Sequence, residues 1–333
     1  MAETNRQIIL QEIPQGHLEG RHFRLGEGPL PTPGEGEVLV RTRYISLDAA
    51  NRAWMQGATY RSALTSGQVM AGGSLAEVMQ SNDPGFKPGD LVTADTGWQD
   101  YAALPARALL KTPPYRPQSH LLSIYGVTGL TAYFGLLECG KPKPGETVAV
   151  SAAAGAVGSI VGQIARIKGC RVIGIAGGAE KCAWLKDELG FDEAVDYKAG
   201  DLRRTLRGLA PNGIDVYFDN VGGDIFEACL FNMANHGRIV CCGAVSQYDG
   251  LAPPHGPRGV PGLIVTKRLT VQGFVVMDFY AGRDEALAEL KSWVDSGKLK
   301  VREDVIEGIE NTPAALIGLL AGENRGKRMI KVR

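Results

Sequence analysis

The sequence has no cysteine before Cys139, no net charge and no long apolar run. Its six cysteines fall between Cys139 and Cys242, and none forms a C-x-x-C pair. This distribution excludes a zinc knuckle and a disulfide framework, and it predicts reduced thiols in a cytoplasmic protein. The first residues, MAETNRQIILQEIPQG, lack the apolar core of a signal peptide. No stretch reaches the roughly 18 consecutive apolar residues of a membrane span, so no membrane partner is expected.

The charge balance limits the possible partners further. The chain has 36 basic and 36 acidic residues, so nothing favours nucleic acid or an anionic membrane as a partner. Its 333 residues exceed the usual size of one domain, and 44% of them are apolar. Two domains with sizeable cores are therefore expected.

Two textures follow one another along the chain. Residues 6–119 contain short β-rich runs separated by Pro and Gly, such as GEVLVRTRYISL, which predict a small β-barrel or sandwich. From residue 121 onward, apolar strands alternate with helical patterns, which predicts a doubly wound parallel sheet in an α/β fold. The predicted strands of that sheet are 147–152, 171–175, 193–196, 214–219, 238–242 and 269–275. With a tail that returns to the first domain, the domains are 1–120 plus 298–333, and 121–297.

A glycine turn follows the first predicted strand of the parallel sheet. The segment AAAGAVGS reads as A-x-G-x-x-G, with Ala153 where a dinucleotide-binding turn usually has its first glycine. Gly155 would let the backbone approach a pyrophosphate, and Gly158 would let the following helix pack closely on the sheet. An ordinary strand–helix turn is the alternative, but the complete βαβ context favours a cofactor site.

The second strand indicates which cofactor binds. NAD sites usually place an acidic residue at this strand end, about 20 residues beyond the turn, to hold the ribose 2′-hydroxyl. Here the strand ends in Gly177 and Gly178, and Lys181 follows within reach of a 2′-phosphate. NADP is therefore the predicted cofactor, and the alternative is that Lys181 lies on an ordinary solvated helix face.

Two common dehydrogenase chemistries lack their residues in this sequence. None of the ten tyrosines has lysine four residues later, which excludes the Tyr-x-x-x-Lys pair of short-chain dehydrogenases. A zinc alcohol dehydrogenase needs cysteine ligands in its first domain, where this chain has none. No metal ligands are therefore predicted, and hydride transfer assisted by hydroxyls and backbone N–H groups remains.

The motifs resemble one family along nearly the whole chain. They include YISLDAANR, GWQDYAAL, GVTGLTAYFGLLECG, AAAGAVGS, YFDNVGGD, GRIVCCGAVSQYD and ENRGK. The chain is similar to the zinc-free branch of the medium-chain dehydrogenase/reductase superfamily. Within it, the resemblance is to the leukotriene B4 dehydrogenase, prostaglandin reductase, alkenal double-bond reductase and curcumin-reductase-like group. This resemblance implies a Rossmann domain with a GroES-like catalytic domain.

The resemblance also implies a set of cofactor contacts. The pyrophosphate is expected at the turn, the 2′-phosphate near the next pair, and the ribose and nicotinamide beside the remaining positions. The implied contacts are Gly155, Ala156, Val157 and Gly158, then Lys181 and Tyr197, then Asn220, Cys242, Gly243, Ala244, Ser246, Tyr248, Phe274, Val275, Val276 and Asn324. Without the resemblance, most of these positions would read as ordinary turn, loop or buried-strand residues.

The implied activity is metal-free reduction of an electrophilic alkene. NADPH would supply hydride to the β-carbon of an α,β-unsaturated ketone or aldehyde. The hydrogen bond to the carbonyl oxygen would come from Tyr248 as the first candidate or from the cofactor ribose hydroxyl as the second. Tyr60, and more loosely Tyr44 and Tyr125, are expected to line the substrate cleft. The alternatives are a quinone reductase and a dinucleotide-binding protein without turnover. Related proteins pair an outer strand near residues 268–279 across a two-fold axis, so a homodimer is expected.

Overall fold

The computed structural model describes residues 4–59, 61–250 and 256–332. Fifteen strands occur in these ranges, numbered here in chain order. They are β1 Thr4–Leu10, β2 Phe23–Pro29, β3 Glu37–Ser46, β4 Gly73–Ser81, β5 Leu91–Asp95, β6 Tyr101–Pro105, β7 Leu110–Lys111, β8 Thr147–Ser151, β9 Arg171–Ala176, β10 Glu193–Asp196, β11 Ile214–Asp219, β12 Met233–Cys241, β13 Thr270–Gly273, β14 Glu303–Glu307 and β15 Lys327–Lys331.

Nine α-helices accompany these strands in the described ranges. They are α1 Ala50–Ala53, α2 Val127–Phe134, α3 Ala156–Ile167, α4 Ala179–Asp187, α5 Leu202–Leu209, α6 Gly223–Phe231, α7 Val260–Lys267, α8 Arg283–Asp295 and α9 Thr312–Leu320. A π-helical turn, Gly135–Gly140, continues α2. No helix in the described part of the chain combines the length and apolarity needed to cross a membrane.

Six strands form the parallel sheet in the order β10-β9-β8-β11-β12-β13. The strands alternate their side chains between two helical layers: Val148 and Val150 of β8 join one buried cluster, and Ala149 between them joins the other. Strands covered on both faces are typical of parallel sheets in α/β proteins. The two clusters therefore account for the nearly continuous apolar runs of the sequence.

The other large sheet is mostly antiparallel, in the order β14-β15-β3-β4-β5-β7, with β6 paired to β3. Strands β1 and β2 form a separate antiparallel pair. Although β14 and β15 lie near the end of the chain, β15 pairs with β3 and so adds both strands to this sheet. The predicted fold class, a parallel Rossmann sheet with a β-rich N-terminal domain, is confirmed.

The predicted strand positions agree with the parallel sheet except in its last two strands. β12 begins at Met233, five residues earlier than predicted, and pairs with Ile214 across a register shift. The strand predicted over 269–275 is shorter, because β13 ends at Gly273. Phe274 then turns inward to pack edge-on against Phe218, with ring centroids 6.3 Å apart. Aromatic packing ends this strand.

Candidate active site

The glycine turn lies between β8 and α3, at the carboxyl edge of the parallel sheet. The Gly155 N–H donates to the Ala152 carbonyl at 2.9 Å, which closes the turn before α3 begins. A Cβ on Gly158 would lie 2.4 Å from the Ala152 oxygen, so only glycine lets α3 pack this closely. Ala153 is completely buried in the core beneath the turn. Alanine there fills core space.

The chain's C-terminal segment docks directly on this turn. The Gly326 N–H donates to the Ala154 carbonyl at 2.9 Å, and Gly326 bridges Gly155 in parallel register. Asn324 is buried there and donates through Nδ2 to the Gly326 carbonyl at 2.8 Å. The segment leading into β15 thus forms one wall of the site.

A cleft of about 1310 Å³ opens in front of the turn. Residues from both the parallel-sheet region and the N-terminal domain line it, including Asp48 and Ala49, which follow β3. The predicted cofactor contacts that line the cleft are Gly155, Ala156, Val157, Gly158, Lys181, Tyr197, Asn220, Ser246 and Asn324. The structure therefore brings together positions as far apart in sequence as the glycine turn and the C-terminal segment.

One corner of the cleft is strongly cationic. Lys181 at the start of α4 donates to the Gly322 carbonyl at 2.5 Å. Burial, aided by the positive charges of Arg325 and Lys198, lowers the pKa of Lys181. Tyr197 and Lys198 lie over Gly177, where a Cβ would approach both side chains within about 3.1 Å. A dianionic phosphate would complement this concentration of like charges.

Two aspartates that end strands shape the cleft, and sequence reasoning missed both. The Asp196 Oδ1 accepts the Gly178 N–H at 2.9 Å and the Lys198 N–H at 3.0 Å, which lowers the Asp196 pKa. Asp219 is buried and accepts from the Tyr217 hydroxyl at 2.6 Å and the Ser151 hydroxyl at 3.0 Å. Each aspartate is the last residue of its strand, at the carboxyl edge of the sheet. An acidic residue at a strand end was the signal that the sequence offered.

The segment of residues 242–250, named here the tyrosine loop, lies against the end of β11. The N–H groups of Cys242 and Gly243 donate to the Asp219 carbonyl at 2.8 and 3.2 Å. The Tyr248 hydroxyl accepts the Ala244 N–H at 3.0 Å. A Cβ on Gly243 would lie 3.3 Å from the Asn220 oxygen and 3.5 Å from the Tyr248 hydroxyl oxygen. The Tyr248 hydroxyl and the carbonyl of the cleft residue Asn220 therefore both lie next to Gly243.

Other predicted site residues lie outside the cleft lining. Among the described residues these are Cys242, Gly243, Ala244, Tyr248, Phe274, Val275 and Val276, together with Tyr44 and Tyr125. Tyr125 is buried and packs against Tyr115, with ring centroids 4.7 Å apart. Burial raises the pKa of the Cys242 thiol to about 12, so this thiol stays protonated. Tyr60 falls outside the described residues.

The described residues contain no group of three or more His, Cys, Asp or Glu side chains that could hold a metal ion. The predicted positions supply backbone N–H groups at the N-terminus of α3 and a cationic corner of the cleft. A 2′-phosphate would need such a cationic corner. Glycine at 155 and 158 leaves room for a pyrophosphate against the backbone. Such a site, on a Rossmann sheet with a β-rich N-terminal domain, defines a dinucleotide-dependent oxidoreductase.

Comparisons with known proteins give the family. A model described as the N-terminal domain of oxidoreductase matches residues 6–112, and one described as zinc-binding dehydrogenase matches 156–292. NADPH-dependent curcumin reductase from Escherichia coli (strain K12) is 43% identical, covering 99% of this chain and 97% of its own. The NADP(+)-dependent 2-alkenal reductase of Nicotiana tabacum is 40% identical, covering 100% and 99%.

A solved structure agrees with these matches. The crystal structure of CurA from Vibrio vulnificus in complex with NADPH superposes with a TM-score of 0.93 at 43% identity, covering 98% of this chain and 99% of that one. Despite the description of the second family model, the sequence has no cysteine before Cys139. The chain belongs to the zinc-free group of the medium-chain dehydrogenase/reductase superfamily.

Proposed function

We propose that this protein is an NADPH-dependent reductase of the activated C=C bond in α,β-unsaturated ketones and aldehydes. The observation that carries the proposal is the Tyr248 hydroxyl, which is held by the Ala244 N–H beside Asn220 at the cleft edge. The reductases named for curcumin and 2-alkenals, which match this chain over nearly its full length, support the same chemistry.

The cofactor's position follows from the shape and charge of the cleft. The turn from Gly155 to Gly158, with the N-terminus of α3, would hold the pyrophosphate. Lys181 and Tyr197 would flank the 2′-phosphate, and Asn324 would reach the phosphates from the C-terminal segment. When bound, NADPH supplies the hydride. Asn220, the loop positions Cys242 to Ser246, and Phe274 to Val276 would enclose its ribose and nicotinamide side.

Tyr248 would act on the substrate oxygen. Because its oxygen already accepts the Ala244 N–H, the phenolic hydrogen is free to point at another acceptor. Negative charge that develops on the carbonyl oxygen would be stabilised by this preoriented donor. Tyr60 would line the substrate end of the cleft, and solvent or a tyrosine would return the proton to the α-carbon.

NADPH and NADH oxidation across enones, enals and 1,4-quinones tests the function. We expect linear enones and enals to be turned over with NADPH, and deuteride from labelled NADPH to appear at the β-carbon of the saturated product. Faster turnover of quinones than of every alkene would instead make the protein a quinone reductase. Cofactor binding without turnover of any electrophile would make it a non-catalytic dinucleotide-binding protein.

Lys181→Ala is expected to weaken NADPH binding by about 10- to 100-fold, because a hydrogen bond to a charged group contributes about 1.5–3 kcal/mol. NADH, which lacks the 2′-phosphate, should bind almost unchanged. Titration of cofactor fluorescence measures both affinities. Lys186→Ala on the same helix is the control, because Lys186 pairs with Glu193 at 3.3 Å on the surface. Equal losses for NADPH and NADH would rule out the 2′-phosphate role.

The proposed assembly is a homodimer in which the β13 strands of the two copies pair at the interface. β13 forms one edge of the parallel sheet, and all four of its residues are exposed. Exposed Val271 on β13 and Val265 on α7 add apolar surface near that edge. Pairing of two such edges would satisfy the free backbone groups of both copies. Sedimentation equilibrium should give the dimer mass, and a monomer at micromolar concentration would disprove this assembly.

The proposed domains are 1–120 with 298–333, and 121–297. Pairing of β15 with β3 supports the return of the C-terminal segment to the first domain. Hydrogen exchange under mild denaturant should divide the amides into two cooperative blocks at these boundaries. A single block, or a division elsewhere, would contradict them.

The cytoplasm is the proposed compartment of this protein. All six cysteines are free, as expected where thiols are kept reduced. Cell fractionation should recover the protein with cytoplasmic markers. Recovery with an exported fraction would contradict this location.

A further inference from the structure

The tyrosine loop changes partners near Tyr248. Before it, the loop is attached to the nucleotide-binding domain: the Val245 N–H donates to the Asn220 carbonyl at 3.2 Å, and the Ser246 N–H to the Val221 carbonyl at 3.0 Å. From Gln247 onward, the loop also has polar partners in the N-terminal domain, and Gln56 Nε2 donates to the Gln247 carbonyl at 3.3 Å. Gln56 Nε2 donates to the Tyr248 carbonyl at 2.9 Å. Tyr248 therefore sits where the two attachments meet.

Asp249 adds a charged contact to the N-terminal domain. Its Oδ1 accepts from Arg52 Nε at 3.0 Å and from the Leu18 N–H at 2.8 Å. Its Oδ2 lies 3.2 Å from Nδ1 of the exposed His17 ring. One carboxylate thus joins the tyrosine loop to α1 and to the segment of residues 16–18.

The Arg52 side chain is buried. Only 1% of the residue is exposed, although it carries a full positive charge. Its Nη2 donates to the Gly16 carbonyl at 2.7 Å, which fixes the guanidinium relative to the segment beside Asp249. Nη1 is buried without a hydrogen-bond partner in the described part of the chain. Asp249 is therefore the carboxylate that compensates this buried charge, and such a pair is sensitive to loss of one member.

We propose that Arg52 and Asp249 are positioning residues that hold the Tyr248 hydroxyl at the cleft edge by clamping the end of the tyrosine loop to the N-terminal domain. The effect of these two residues on turnover rests on the proposed function, whereas their contact with each other does not. Asp249 lines the cleft and Arg52 does not, but the clamp requires neither side chain to touch substrate or cofactor. A displacement of Tyr248 by about 1 Å is enough to reduce turnover strongly, because catalytic donors act only in a narrow range of positions.

Asp249→Asn and Arg52→Lys test the clamp. Asp249→Asn removes the negative charge that faces Arg52. Arg52→Lys keeps the positive charge but cannot contact Asp249 and the Gly16 carbonyl through two separate nitrogens. For Asp249→Asn we expect kcat on a saturating enone to fall by about 10- to 100-fold, with NADPH affinity within about twofold of the unaltered protein. Arg52→Lys should retain more of kcat, because it keeps a donor for Asp249.

Hydrogen–deuterium exchange of the cofactor-free chain provides a second readout that needs no activity. Peptides covering residues 244–250 should exchange at least several times faster in Asp249→Asn, while peptides from β8 and α3 stay unchanged. Gln56→Ala alters only an exposed side chain, so it keeps the test open if a buried variant fails to fold. It should show the same pattern with a smaller increase in exchange.

Asp100→Asn is the matched control. Asp100 also accepts an arginine, with Arg6 Nε at 2.8 Å and Nη2 at 3.1 Å, as well as the Arg6 backbone N–H at 3.2 Å. Asp100 lies in the same domain as Arg52 and, unlike Asp249, outside the cleft lining. An equal loss of kcat in Asp100→Asn and Asp249→Asn, or unchanged exchange in the tyrosine loop, would overturn the clamp. Faster exchange without enone reduction by the unaltered protein would uphold the clamp and reject the proposed function.

Discussion

Tyr248→Phe is expected to lower kcat for a linear enone by about 10²- to 10³-fold, the usual effect of removing one donor to a developing oxyanion. The hydroxyl accepts the Ala244 N–H at 3.0 Å and so keeps its own hydrogen available for the substrate oxygen. Phenylalanine preserves the ring but removes both that hydrogen and the oxygen that accepts the Ala244 N–H. Single-turnover and steady-state rates with NADPH measure the loss.

The specificity of this effect depends on cofactor binding. NADPH affinity should change by less than about threefold in Tyr248→Phe, since the lost interaction forms with the substrate. Tyr133→Phe is a matched control, because its hydroxyl donates to Glu289 of α8 at 2.6 Å and, among the described residues, makes no hydrogen bond to the tyrosine loop. Turnover at the unaltered rate in Tyr248→Phe would show that another group stabilises the substrate oxygen.

Gly158→Ala is expected to reduce the free energy of unfolding by about 3 kcal/mol, the upper part of the usual range for overpacking. The new methyl group would lie 2.4 Å from the Ala152 oxygen and 2.9 Å from the Ala153 Cα, both backbone atoms that cannot rotate away. The N-terminus of α3 would have to move from the turn. NADPH binding should weaken by about 100-fold, because the helix N–H groups no longer meet the pyrophosphate together.

Chemical denaturation and cofactor titration measure the two effects of Gly158→Ala. Gly208→Ala in α5 is the control, because a Cβ there meets nothing within 4 Å. Alanine is the better helix former, so this variant should gain about 0.5–1 kcal/mol. Unchanged stability and NADPH affinity in Gly158→Ala would show that close contact between α3 and the turn is not required.

The parallel sheet could be predicted because its signals are local. Strands β8, β9 and β11 are apolar runs buried on both faces, β10 is a short edge strand, and the ends of all four agree with the prediction to within a residue. Turn and cofactor signals follow them within a few positions, as with Gly158 and Lys181. The limits of β12 and β13 were less accurate, because a register shift and the inward turn of Phe274 depend on neighbouring elements.

By itself, the sequence determined the α/β class, the glycine turn, the cationic residue near the second strand and the absence of cysteine ligands in the N-terminal domain. Each depends on residue type and on spacing within a short segment. Only the tertiary structure decided how the C-terminal segment meets the turn through Gly326 and Ala154, and how Arg52 meets Asp249. These partners lie more than 150 positions apart, and no periodic pattern links them. Chain folding alone brings such groups within hydrogen-bond distance.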